Sequence, residues 1–299
     1  MSFKHIENLF RQLTKLADQA SMGNYQEAGG IYELTKTGKY PEEVAELAEA
    51  FGMMIVRVES REQQLESVIE DLKEKKLELE TLSKELFEAN IGMLEVLGNA
   101  IAKRDSDTNE HNYRVTIYAI NIAEAVCLTK EGIRSLMKGA FLHDVGKIGI
   151  SDNILLKPKK LTEAEYKIMK NHVQYGADII GNYEWLKDAM DVVLNHHEKY
   201  DGGGYMKGLR GEDIPVNARI FIIADVFDAL TSKRPYKEPF SFNKAIRLVE
   251  EKRGRDFDPH MLDIFVTIAK NLYLQISNAD DYTLRNTLRG LINKYFDEG

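Results

Sequence analysis

Cysteine is nearly absent from this 299-residue chain: Cys127 stands alone, so no disulfide can form within it. It sits in an apolar helical stretch, where a buried small hydrophobe is expected. Proline is scarce too, six in all, which leaves long segments free of helix breakers. No run reaches the roughly 18 apolar residues that span a bilayer. The N-terminus lacks the continuous apolar stretch of a secretory signal. A cytoplasmic protein with no direct membrane insertion is therefore expected. Positive charge is in deficit, with 40 Lys and Arg against 48 Asp and Glu. That excludes a sequence-independent binder of nucleic-acid polymer, which needs a basic surface. A small anionic substrate stays open if metal ions and a few local cations supply positive charge.

What is present is helical pattern. A hydrophobic fraction of 43% is enough to bury a core. The one strand-like run, Ile220 to Ile223, continues into a longer helical period after Pro215 and reads as helix. The fold class is all-α. Between residues 58 and 100, Val58, Leu65, Leu72, Leu79, Leu86, Met93 and Ala100 recur every seven residues. Val68, Leu82, Ala89 and Val96 fill the companion heptad positions, with Lys75 as the polar exception. This predicts a long coiled-coil helix and a parallel homodimer, in which Lys75 helps fix register or tunes stability. The alternative is one amphipathic helix lying on a domain. Residues 1–57 form a small helical regulatory segment, two helices joined by a connector with Gly23, Gly29, Gly30 and Gly38. The second, from Pro41, resembles the second helix of a HAMP signalling module, although the connector is longer than usual. A plain helical dimerisation segment fits equally. Residues 101–275 form a separate domain, rich in histidine and carboxylate. Residues 276–299 hold a C-terminal helix that packs through Leu284, Leu288, Leu291, Ile292 and Tyr295.

Five of the seven histidines fall between residues 111 and 197. His143-Asp144 closes an apolar run, and alone it would be a satisfied core pair. His111 shares a helix face with Val115, Tyr118 and Ile122, and Asp107 precedes it by one turn. His172 follows a capping box at Thr162 and Glu165. His196-His197 ends another apolar helix, and Asp225 sits among Phe221, Ile222 and Val226. Each could be a structural hydrogen bond. Together, carboxylates and imidazoles pointing inward from separate helices suit a shared cluster of Fe, Mn or Zn. Their number exceeds the four ligands of one structural zinc and favours two or more ions.

These residues also lie in three ordered motifs. His143-Asp144-x-Gly-Lys147 comes first, then His196-His197-Glu198-x-x-Asp201-Gly-x-Gly-Tyr205, then Asp225 through Asp228 to Arg234 and Lys237. Over roughly residues 101–270 the sequence resembles the HD-GYP family of cyclic di-GMP phosphodiesterases. The resemblance implies a helical HD-type bundle with two or three divalent ions, Fe or else Mn. It implies metal ligands at His111, His143, Asp144, His172, His196, His197 and Asp225, with Asp144 bridging two ions. It implies that Lys147 contacts the scissile phosphate, making Asp144 and Lys147 the catalytic pair. Arg234 and Lys237 would bind phosphate or guanine, and Tyr205 would line the substrate pocket. Asp228, one turn after Asp225, would orient a ligand from behind. The implied reaction is attack of metal-activated hydroxide on cyclic di-GMP, giving pGpG, and GMP where a third ion binds.

Two departures stand out. Met206 replaces the family's loop proline, which puts loop rigidity in question. Asp107 stands where members with a third ion carry glutamate. Gly202, Gly203 and Gly204 follow no strand and lack a Walker lysine, so they read as a turn rather than a nucleotide-triphosphate loop. Three other readings stay open: hydrolysis of 3′3′-cyclic GMP-AMP, a non-catalytic cyclic-dinucleotide sensor, and a nucleotide phosphohydrolase of the wider HD superfamily. The last leaves the Asp201–Tyr205 and Arg234–Lys237 blocks unexplained.

Overall fold

The computed structural model describes residues 3–36, 40–105, 109–233 and 238–296. The named elements are all helical, and the one β-type pairing among the described residues is an isolated bridge between Arg253 and Phe257. The expected all-α class holds. Among the described residues, none of the helices is long and apolar enough to cross a membrane. The chain divides into two compact units, Met1–Phe87 and Glu88–Gly299.

The first unit holds α1 (Phe3–Ser21), α2 (Tyr25–Ala28), a 3₁₀ turn (Gly29–Thr35) and the beginning of α3 (Glu42–Arg104). Leu13, Leu16 and Ala20 recur at helical spacing on α1. They pack with Val44 and Phe51 of α3 around buried Ile31, Leu34, Ala48 and Ile55. Helix α3 starts just after Pro41, with Glu42 and Glu43 in its first turn, where carboxylates favour the helix dipole. It runs unbroken for 63 residues, so the two helices expected over residues 41–57 and 58–100 are one. No coiled coil is seen among the described residues of the single chain. The heptad residues Val58, Leu65, Val68, Leu72, Leu79, Leu82 and Leu86 are exposed, and Lys75 pairs with Glu78 of its own helix.

The second unit takes the end of α3 and then α4 (Asn109–Ala125), α5 (Lys130–Leu142), a 3₁₀ turn (Val145–Gly149), α6 (Asp152–Leu155), α7 (Glu163–Lys170) and α8 (His172–Ile180). After a second 3₁₀ turn (Glu184–Ala189) come α9 (Met190–Asn195), a third turn (Gly211–Asp213), α10 (Val216–Thr231), α11 (Phe242–Glu250), α12 (Pro259–Ile276) and α13 (Asp281–Phe296). Helix α4 is buried almost all round, through Tyr113, Val115, Ile117, Tyr118, Ala119, Ile120 and Ile122. A helix without a polar face belongs at the centre of a bundle, and α5, α10, α12 and α13 surround it. Thr129 caps α5, Thr162 and Glu165 close a reciprocal box on α7, and Asp258 caps α12 ahead of Pro259. These caps fix where each helix begins and therefore which side chains face inward. The strand-like run Ile220–Ile223 lies inside α10, as its period predicts. Helix α13 buries Leu284, Leu288, Ile292 and Tyr295.

Cys127 departs from expectation. It is exposed, with φ of 57°, because α4 has already ended. The Cys127 N–H donates to Glu124 O at 3.0 Å and the Leu128 N–H to Ala123 O at 2.9 Å. That pair of bonds is a helix-terminating Schellman motif, whose left-handed position glycine usually fills.

Candidate metal centre

His143 caps the C-terminus of α5 and Asp144 begins the 3₁₀ turn after it. His111 lies on α4, His172 opens α8, His196 and His197 follow α9, and Asp225 lies on α10. The bundle brings all seven together. Two groups form, His111 with His143 and Asp225, and His172 with His196 and His197. Within each group the ligand atoms lie within 4.8 Å of one another. Asp144 stands between them. One carboxylate oxygen is 3.0 Å from His143 Nε2. The other is 3.5 Å from His172 Nε2 and 3.9 Å from His196 Nε2.

The orientation of the rings is set from behind. His143 Nδ1 faces Ala140 O at 2.7 Å, His172 Nδ1 faces Met169 O at 2.7 Å, and His196 Nδ1 faces Val193 O at 3.0 Å. His111 Nδ1 faces Asp228 Oδ2 at 2.7 Å. A carbonyl or carboxylate can only accept, so each Nδ1 carries the hydrogen and each Nε2 is left to face the cluster. This is how metal-binding imidazoles are held. Burial, helped by His172, pushes His197 down to about 3. Burial and the neighbouring imidazoles take His196 well below its ordinary value, and burial lowers His172 as well. Neutral rings with free lone pairs are what a cation needs. His143 differs: burial opposes its charge, but Asp144 outweighs burial and raises it to about 8. The proton between that imidazole and carboxylate is the kind metal binding displaces. Burial also works against charge on Asp144, yet Lys147 and His143 hold it well below the usual carboxylate range. The donor set fits divalent ions of the Fe, Mn and Zn series.

The sequence profile of the HD domain family matches residues 95–261. The chain belongs to the HD domain family. It is 41% identical over 206 residues to the cyclic di-GMP phosphodiesterase response regulator RpfG of Xanthomonas campestris, covering 67% of this chain and 54% of that protein. A cyclic di-GMP phosphodiesterase of Thermotoga maritima is 36% identical over 212 residues, 69% of this chain and 58% of the other. The 3′3′-cGAMP-specific phosphodiesterase 2 of Vibrio cholerae is 38% identical over 172 residues, 57% of this chain and 33% of the other. This HD domain is thus related to the HD-GYP type of cyclic-dinucleotide phosphodiesterase, and the chain spans only part of each relative's length.

The remaining expected residues fall in different places. Asp228 is buried and receives His111 on one side and Arg114 on the other, with Arg114 Nε at 2.6 Å from Oδ1. The Lys147 ammonium is 2.7 Å from Asp144 and also bound to Asp105. Tyr205 lies flat on His197, ring centres 4.6 Å apart at 24°. Asp107, Arg234 and Lys237 lie outside the described residues.

Sequence reasoning missed three supports of this HD domain. Arg104 donates to the carbonyls of Lys147, Ile148 and Ile150 and to Asp152, which ties down the turn after the His-Asp pair. Arg114 neutralises Asp228, and its place one turn after His111 was the available signal. Glu198 is buried, and its carboxylate accepts the backbone N–H groups of Lys207, Gly208 and Leu209 at 2.7, 3.1 and 3.1 Å. Three charge-assisted bonds brace the loop that carries Tyr205. Gly204 makes the fit possible, since a Cβ there would lie 2.4 Å from Glu198 Cα and from Lys199 N.

Proposed function

We propose that this HD domain hydrolyses a cyclic dinucleotide, cyclic di-GMP in the first instance, to the linear dinucleotide. One observation carries the reading: Asp144 stands between two groups of donors whose rings are already turned to bind. His111, His143 and Asp225 would hold one divalent ion, Fe or Mn, and His172, His196 and His197 another, with Asp144 shared. When bound, such ions acidify water and neutralise phosphate charge. Asp228 keeps the His111 Nδ1–H fixed, and His111 together with Arg114 keeps Asp228 ionised. Lys147 would donate to a non-bridging oxygen of the scissile phosphate, and Tyr205 would line the substrate pocket. Arg234 and Lys237 follow the resemblance as phosphate or guanine contacts, and Asp107 as the carboxylate of a third ion, which would extend cleavage to GMP.

Relatives named for cyclic di-GMP and for 3′3′-cGAMP both match this chain, so the decisive assay uses both substrates. Protein purified without oxygen should contain at least two equivalents of Fe or Mn. It should convert cyclic di-GMP to pGpG faster than it converts 3′3′-cyclic GMP-AMP, and should lose turnover on chelation and regain it on adding metal back. Chelated protein that kept its full rate would refute the proposal. A third equivalent of metal would support an ion at Asp107.

The exposed heptad stripe of α3 supports a parallel homodimer through a coiled coil. Light scattering should give twice the chain mass, and Leu72→Glu with Leu79→Glu should halve it. A wild-type chain at monomer mass at micromolar concentration would exclude the dimer.

A further inference from the structure

The capping box of α7 fixes its phase, which sets Tyr166 and Lys170 four residues apart on one face. Both reach the loop of Tyr205. The Lys170 ammonium lies 4.8 Å from the ring centre of Tyr166 and 4.9 Å from that of Tyr205. The two rings meet edge to face, 6.3 Å apart at 78°. Tyr205 in turn stacks on His197. A cation therefore stands one aromatic ring away from the second donor group.

Its partners differ from those of Lys147. Acidic residues outnumber basic ones, and Lys147, the other cation at the centre, is held by two carboxylates. Lys170 has ring faces instead, and forms no ion pair among the described residues. Ring quadrupoles orient an ammonium without neutralising it, so it stays available to an anion. Tyr166 is 46% exposed, which leaves it open to a flat ligand group.

We propose that Lys170, between Tyr166 and Tyr205, is a specificity-determining residue that contacts the phosphate not being cleaved. The inference rests on reading the donor cluster as a phosphodiester-cleaving centre. A cyclic dinucleotide carries two phosphodiesters across one macrocycle. With one at the donor groups, the other stands to the side with its full negative charge. A cation waiting there strengthens ground-state and transition-state binding alike, which lowers KM and leaves kcat unchanged. The two tyrosine rings add stacking faces for an adjoining base.

The test compares Lys170→Met, which keeps length and apolar contact but loses charge, with Lys170→Arg. Each is assayed on cyclic di-GMP and on bis(p-nitrophenyl) phosphate, a diester with a single phosphate, and bound metal is measured. Lys170→Met should raise KM for cyclic di-GMP about tenfold, with kcat within about twofold, and Lys170→Arg should recover most of the loss. Metal content and kcat/KM on the single-phosphate diester should match the wild type. An unchanged KM would overturn the proposal. So would an equal loss on both diesters, which would mean that Lys170 acts by holding Tyr205 and His197. If the wild type holds its metals yet cleaves neither diester, the reading of the centre fails instead. Calorimetric binding of cyclic di-GMP then decides Lys170, an equal Kd for wild type and Lys170→Met overturning its role.

Discussion

Asp144→Ala should cost the protein its metal and its turnover together. Asp144 reaches toward both donor groups, with one oxygen on His143 and the other on His172 and His196. Removing it leaves the two donor groups with Asp225 as their one carboxylate. It also takes from Lys147 one of its two carboxylate partners. Bound metal should fall below half of the wild-type content. The ratio kcat/KM should fall at least about a thousandfold, roughly 4 kcal/mol of transition-state stabilisation. Asp144→Asn should follow closely, because an amide keeps the shape and loses the charge. Helical circular dichroism should be retained in both, since the packing around α4 does not involve this side chain. Elemental analysis and the hydrolysis assay on one preparation check the result. A variant with wild-type metal content and rate would remove Asp144 from the centre.

The donor residues were legible because they break a local rule. A histidine or carboxylate on the apolar face of a helix is conspicuous, and α4, α8 and α10 each carry one. The helical class was legible for a similar reason. Scarce proline and steady 3.6-residue periods left little room for strands, and even Ile220–Ile223 kept the period of α10. Partnerships between distant residues were not legible. Arg104 and the carbonyls after Lys147 are more than forty residues apart, and neither carries a local sign of the other. Glu198 sat in plain view beside His197, but a carboxylate that braces a loop looks the same as one that faces solvent. The end of α4 was missed for a different reason. The apolar pattern runs on past Ala125, and the stop is made by the backbone of Cys127 in a conformation its side chain does not announce. The single helix over residues 42–104 was read as two because the heptad pattern sharpens near Val58, whereas the backbone needs only the absence of a breaker to continue.

The same geometry makes Gly146 the position least able to accept a side chain. It lies in the 3₁₀ turn just after Asp144, pressed against the start of α8. A Cβ there would stand 1.8 Å from His172 O and 2.3 Å from Gly176 N. Both are backbone atoms, so no rotamer change relieves the clash, and α8 must move away from the turn. That motion separates Asp144 from His172, the very pair at 3.5 Å. Overpacking of this kind costs about 1–3 kcal/mol, which for a unit of this size lowers Tm by roughly 2–12 °C. Gly146→Ala should therefore lose stability and metal affinity at once, although alanine changes no ligand. The φ of Gly146 is not in the left-handed region, so the effect is one of packing rather than of backbone preference. Gly290→Ala in α13 is the control: nothing lies within 4 Å of its Cβ, and relief of a helical glycine should raise stability by up to about 1 kcal/mol. Thermal unfolding of the two variants beside the wild type, with metal content measured, separates them. If Gly146→Ala melted with the wild type and kept its metal, the close approach of the turn to α8 would be wrong, and with it the placement of Asp144 between the two donor groups.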